Sequence, residues 1–266
     1  MAVVPVVKAH AYGNDFLCVP SADARADLPS LARAICHRHH GVGADGLLLY
    51  TLHDRGASMK LLNADGSWSE LSGNGLRCLA ALVVRTQDLH PGTTVTIETD
   101  AGRKPLHLLA REGERYTFRA GMGQPTNLRQ TKIAVAGESV TASLLEVGNP
   151  QCIVLGPLPD LDRFTRLGPA LATHPMFPAG TNVEFAQVEA ADRVRIMIWE
   201  RGVGPTTSSG TGSSASAVAA AAHGGASRSV DVIAPGGTQR VDWQEDGVHL
   251  TGWAEVILEG YWTQRL

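Results

Sequence analysis

Ser72-Gly73-Asn74-Gly75-Leu76-Arg77-Cys78 leads into the apolar run "NGLRCLAALVVRT", and the same small-residue elbow returns as Ser209-Gly210-Thr211-Gly212 at the head of "GSSASAVAAAAH". The two serines stand 137 positions apart (209 − 72). That offset also pairs Asn63 after "MKLL" with Glu200 after "IMIW", and Asp45 of "GADGLLLYT" with Asn182 of "GTNVEFAQV". With a slip of two residues, Gly13-Asn14 of "AYGNDFLCV" meets Gly148-Asn149 of "EVGNPQCIV". Such register is the mark of an internal repeat. It predicts two similarly folded domains, 1–119 and 120–266, joined near "RAGMGQP", with a last strand free to return to the first domain.

Around the elbows, "FLCVP", "GLLLYTL", "SMKLLN", "TVTIET" and "YTFRA" read as strands between turn residues, as do "LLEVGNPQCIVLG", "NVEFAQV", "VRIMIWE", "SVDVIAP", "QRVDW" and "VHLTG". "LPSLARAICHRH" reads as a helix, and the two runs behind the elbows as more apolar ones. The class is α+β, dominated by strands. A chain of 266 residues with net charge −3 and no lysine or arginine block offers nucleic acid no basic field. No apolar stretch has the length that spans a bilayer, and the N-terminus lacks the basic head of a signal peptide, so a soluble cytoplasmic protein is expected. Cys18, Cys36, Cys78 and Cys152 stand far apart without CxxC spacing, which points to buried free thiols rather than a zinc site or disulfides.

A Ser-Gly-x-Gly turn opening a helix places a hydroxyl and bare backbone N–H groups at the positive end of the helix dipole. Those donors suit an anion; in an acidic chain without a phosphate-loop lysine, a carboxylate is the natural guest. They would also stabilise the charge that builds when a carboxylate's α-proton leaves. Serine is equally a favoured N-cap, and each elbow taken singly reads as a cap. Their matched place in the repeat raises the catalytic reading. His37, His39 and His40 of "CHRHH" have no evident further ligand, and no metal site is expected. Glu200-Arg201 at a strand end is a salt bridge or a clamp for an amino acid's ammonium and carboxylate. Asn63, Asn149 and Asn182 are individually ordinary turn residues.

In order and spacing, "KAHAYGNDF", "GVGADGLLLY", "LLNADGSWSELSGNGLRC", "EVGNPQCIV", "TNVEF", "WERGVGPTTSSGTGSSA" and "IAPGGTQRVDW" resemble the landmarks of the diaminopimelate epimerase family over essentially the whole chain. The resemblance implies two pseudo-symmetric domains, each a curved, mostly antiparallel sheet or barrel around a central apolar helix, with the site in the cleft between them. It implies a homodimer in the cytoplasm, acting without cofactor or metal on a small amino-acid substrate, L,L- to meso-diaminopimelate, in the lysine and peptidoglycan precursor pathway. Carried over by position, Asn14, Asn63, Asn149, Asn182, Glu200 and Arg201 hold substrate. Gly73 and Asn74 on one side, with Gly210 and Thr211 on the other, hold the reacting carboxylate.

The chemistry departs from the family. Its two acid/base cysteines fall on Ser72 and Ser209, the histidine of "GNPHC" on Gln151, the glutamate of "GAGET" on Pro205, and a frequent arginine on Gly180. A thiol titrates near 8.5, whereas a serine hydroxyl needs an adjacent general base. Three readings follow. The first is an epimerase with Ser72 and Ser209 at the acid/base positions, assisted by Glu70 or Glu200. The second is a same-fold enzyme with other proton-transfer or elimination chemistry, and the third a homologue that only binds an amino dicarboxylic acid. A carboxylate or imidazole within reach of either serine would favour an enzyme.

Overall fold

The computed structural model describes residues 2–24, 27–69 and 72–264 and divides into two compact units. Unit one is Met1–Ala120 with Gly252–Leu266, and unit two is Gly121–Thr251.

Unit one carries β1 (Ala2–Ala11), β2 (Asn14–Pro20), α1 (Leu28–Cys36), β3 (Gly46–His53), β4 (Gly56–Asn63), β5 (Trp68–Ser69), α2 (Gly73–Thr86), β6 (Thr94–Thr99), β7 (Gly102–Glu112) and most of β8 (Arg115–Gly123). Unit two carries β9 (Thr126–Val135), β10 (Glu138–Glu146), β11 (Pro150–Leu155), α3 (Leu161–Ala172), β12 (Asn182–Ala190), β13 (Arg193–Glu200), β14 (Gly204–Thr206), α4 (Gly210–His223), β15 (Ser229–Ala234) and β16 (Gly237–Gln244). The last strand, β17 (Gly247–Gln264), begins in unit two and ends in unit one.

In unit one the pairings return on themselves through β1, β2, β3, β4, β6, β7, β8 and β17, a closed ring. β1–β17, β1–β2, β3–β4, β6–β7 and β7–β8 are antiparallel, whereas β2–β3, with Phe16 opposite Gly46, and β4–β6 are parallel. Unit two repeats this order from β9 to β17, with parallel pairs β11–β12, Gln151 opposite Asn182, and β13–β15. Both units are thus α+β barrels or curved sheets with the same succession of elements.

Strand alternation sorts the side chains into layers. Phe16 and Cys18 join Leu76, Cys78, Leu79 and Val83 in the core around α2, while Leu17 and Val19 face the other way, onto Leu31 and Ile35 of α1. In unit two Ile153 packs on α4, and Cys152 and Val154 turn to Leu167 and Leu171 of α3. The central helices are accordingly buried on nearly every side, which is why their sequences are apolar all round. Alanine and serine fill α4, where Ser213, Ser214 and Ser216 are fully buried.

Two sequence expectations are corrected in detail. The helix read through "CHRH" stops at Cys36, because the His37 ring accepts the N–H groups of His39 and His40 at Nδ1 and turns the chain. The strand read as "VHLTG" runs on to Gln264.

Candidate active site

Each elbow is the N-terminus of a buried central helix. Ser72 caps α2 in an extended backbone conformation (φ −134°, ψ 121°), and its Oγ accepts Gly75 N at 3.1 Å. Ser209 caps α4 in nearly the same conformation (φ −140°, ψ 124°), its Oγ accepting Gly212 N at 3.2 Å. In both, the first-turn N–H groups, at Gly73-Asn74 and Gly210-Thr211, point out of the helix end, where an anion is favoured.

The surroundings of the two caps differ. The Glu200 carboxyl, at the end of β13 just before the β14 turn, stands near the Ser209 hydroxyl. Burial pushes the Glu200 carboxyl above its usual range, and the nearby Ser209 hydroxyl opposes part of that rise. Ser209 Oγ also lies 3.4 Å from Thr211 Oγ1. Among the described residues Ser72 has no carboxylate partner. Glu70, the other local acid the sequence offered, lies outside the described residues.

Behind Ser209 stands a second acid that sequence reasoning missed. Glu184 is 0% exposed on β12, two residues past Asn182 and therefore on the same strand face. No cation pairs with it among the described residues, and burial, with Glu200 nearby, pushes its carboxyl well up. Gln151, at the family histidine's place, is equally buried. With its amide oriented to satisfy both ends, Gln151 donates to Glu184 at 3.0 Å and accepts from Thr211 Oγ1 at 3.2 Å, while lying against the Asn149 side chain. The site signal was a charged residue inside an otherwise apolar strand, "NVEFA".

Most of the remaining candidates gather around one elbow or the other. Asn14 follows the Tyr12-Gly13 turn, donates from Nδ2 to Asp45 at 2.7 Å and accepts from Asn74 Nδ2 at 3.1 Å. Asp45 in turn receives Arg38 Nη2 at 2.7 Å. Asn63, at the exposed end of β4, instead bonds Ser67 Oγ at 2.9 Å. Asn182 Oδ1 accepts the Arg201 backbone N–H at 2.9 Å, joining the starts of β12 and the β13–β14 turn. The exposed Arg201 side chain donates to Ala179 O at 2.6 Å, its stem filling the space where a Cβ at Gly180 would come within 2.7 Å. Arg201 and Glu200 form no ion pair with each other. All four cysteines are free and buried, so none replaces a serine at an elbow. No three His, Cys, Asp or Glu side chains gather as a metal site among the described residues, and no described helix is long and apolar enough to cross a membrane.

The comparisons with known proteins agree with one another. A family model described as Diaminopimelate epimerase matches residues 6–128 and 143–257. A diaminopimelate epimerase of Desulforudis audaxviator is 40% identical, over 97% of this chain and 98% of the relative. One of Desulfitobacterium hafniense is 38% identical, over 96% of each chain. In three dimensions the chain resembles the Bacillus anthracis phenazine biosynthesis protein of the PhzF family (TM-score 0.71, 16% identity, 98% and 99% of the two chains). It also resembles a hydroxyproline epimerase from Agrobacterium vitis (TM-score 0.68, 18% identity, 98% and 91%). These two likenesses speak for the fold.

Proposed function

Since the chain belongs to the diaminopimelate epimerase family, we propose that it is an amino-acid isomerase of that type, interconverting L,L- and meso-diaminopimelate in lysine biosynthesis without a cofactor. The observation that carries this reading is the half-buried Glu200 carboxyl beside the Ser209 hydroxyl, which opposes part of the rise that burial gives that carboxyl. A serine hydroxyl becomes a proton acceptor only when a base takes its own proton. Glu200 is that base. As the α C–H bond breaks, its proton passes to Ser209 Oγ and the hydroxyl proton passes to Glu200. The electron pair moves into the substrate carboxylate, held by the first-turn N–H groups. Ser72 is the complementary acid, returning a proton to the other face; water then restores the proton on Ser72 and takes up the one on Glu200.

Asn14, Asn63, Asn149, Asn182 and Arg201 are the substrate-holding residues in this reading, and a cytoplasmic homodimer is its expected form. Losing both thiols weakens the chemistry, since each tenfold loss of rate is about 1.36 kcal/mol of barrier. The absence of a carboxylate partner at Ser72 among the described residues favours a second reading, proton exchange at one face only.

Incubation with L,L-diaminopimelate in D2O, followed by NMR and chiral mass spectrometry, separates these. Deuterium at the α-carbon with meso product, abolished in Ser209→Ala, supports the epimerase. Deuterium without inversion selects the one-sided reaction. A bound ligand without exchange rejects both in favour of a binding protein.

A further inference from the structure

Arg77 lies on α2, one turn inside the first elbow, and is 2% exposed. A guanidinium does not give up its proton in a protein, so its burial calls for a compensating carboxylate. Among the described residues Arg77 has none. Its Nη2 donates to Asn74 Oδ1, its guanidinium carbon lies 5.8 Å from the centre of the Tyr12 ring, and its Nε has no partner. At the matching position 137 residues later (214 − 77) stands Ser214, whose Oγ donates to Gly210 O at 2.8 Å. The first elbow thus has a buried cation that the second lacks, while the second has two nearby carboxyl groups, Glu184 and Glu200.

The bonds that leave Arg77 run in one direction. Its guanidinium donates to Asn74 Oδ1, Asn74 Nδ2 donates to Asn14 Oδ1 at 3.1 Å, and Asn14 Nδ2 donates to Asp45 Oδ2 at 2.7 Å. Guanidinium only donates and carboxylate only accepts, so the two ends dictate how both amides face. Reversing either amide would set NH2 against a guanidinium or oxygen against a carboxylate.

We propose that Arg77 is a positioning residue of the first elbow, imposing this direction on Asn74 and Asn14 so that Asn14 meets a ligand's carboxylate with its second amide N–H rather than its oxygen. The ligand part rests on the function proposed above; the amide ordering does not.

The test uses the uniformly 15N-labelled full chain. The side-chain amide signals of Asn14 and Asn74 are assigned by their loss in Asn14→Ser and Asn74→Ser. Both signals should be shifted and slow to exchange with solvent in the wild type and in Arg77→Lys, and should collapse toward free-amide behaviour in folded Arg77→Met. Affinity for L,L-diaminopimelate should fall about tenfold in Arg77→Met and recover in Arg77→Lys. Unchanged amide signals in Arg77→Met overturn the proposal. If that variant does not fold, Arg77→Gln, whose amide can face either way, takes its place, and unchanged amide signals there overturn it equally. A wild type that binds no diaminopimelate counts against the function, and the amide signals alone then decide the role of Arg77.

Discussion

Glu184 reaches so far under the first turn of α4 that a Cβ on Gly212 would stand 2.3 Å from its Oε1. The acid and the glycine therefore require each other. Gly212→Ala should destabilise the protein by about 1–3 kcal/mol through overpacking. In the Glu184→Ala background the same change should cost measurably less, because the two sites share one space. Urea unfolding of the four proteins of this cycle reads the coupling; additivity would mean that the helix absorbs the methyl elsewhere.

The pH dependence of stability should carry the signature of Glu184. Its carboxyl is held well above the ordinary value of 4.5, so the folded protein keeps a proton that the unfolded chain releases. The stability this brings is complete below the ordinary value and is lost as pH rises through the folded one. Glu184→Gln has no proton to release. The variant's unfolding midpoint should gain on the wild type's as pH is raised from acid toward neutrality, and parallel curves would place an ionised carboxylate at 184.

Proton transfer at the second elbow has its own pH profile. Glu200 must be ionised to accept from Ser209, and burial raises its carboxyl, so α-deuterium exchange should increase with pH through a value above the usual glutamate range. Glu200→Gln and Ser209→Ala should each lower exchange about 10²–10⁴-fold. Ser72→Ala should leave exchange at one face and abolish inversion. Ser209→Cys should raise the rate, since a thiolate needs no relay.

The four thiols should be inert. Burial pushes Cys18, Cys36 and Cys152 up to about 12, and Cys78 is also driven well up. Iodoacetamide at mildly alkaline pH should label none of them in the folded chain, as read by intact mass, and should leave activity unchanged. Rapid labelling accompanied by loss of activity would make a cysteine the working group after all.

Much of the barrel was legible because its strands are short apolar runs between glycine turns, and because α2 and α4 open on serine caps. The elements that escaped have local reasons. In α3, Gly168 and Pro169 interrupt the helical pattern, the glycine being required where a Cβ would strike the Trp199 ring at 2.7 Å. In β7, Pro105 masks a strand, and β9 is too polar and exposed to show a period. Gly252 looked like the end of β17 but marks a close approach, 3.2 Å from a Cβ to the Tyr12 hydroxyl. At the site, the caps and the asparagines could be read from matched positions. Glu200 could be read as an assisting acid, but not that it stands beside Ser209, which depends on the β14 turn, nor could the pairing of Gln151 with Glu184, which depends on which strands lie side by side.

β1 is paired along its length with β17, Val3 opposite Thr263 and His10 opposite Glu255. A ribosome therefore releases the first strand of unit one long before the strand that closes its ring. During synthesis the nascent barrel waits with an open seam while all of unit two is made, and only a chain that has reached β17 can seal it. Loss of the second half of β17 should thus injure the unit that was translated first.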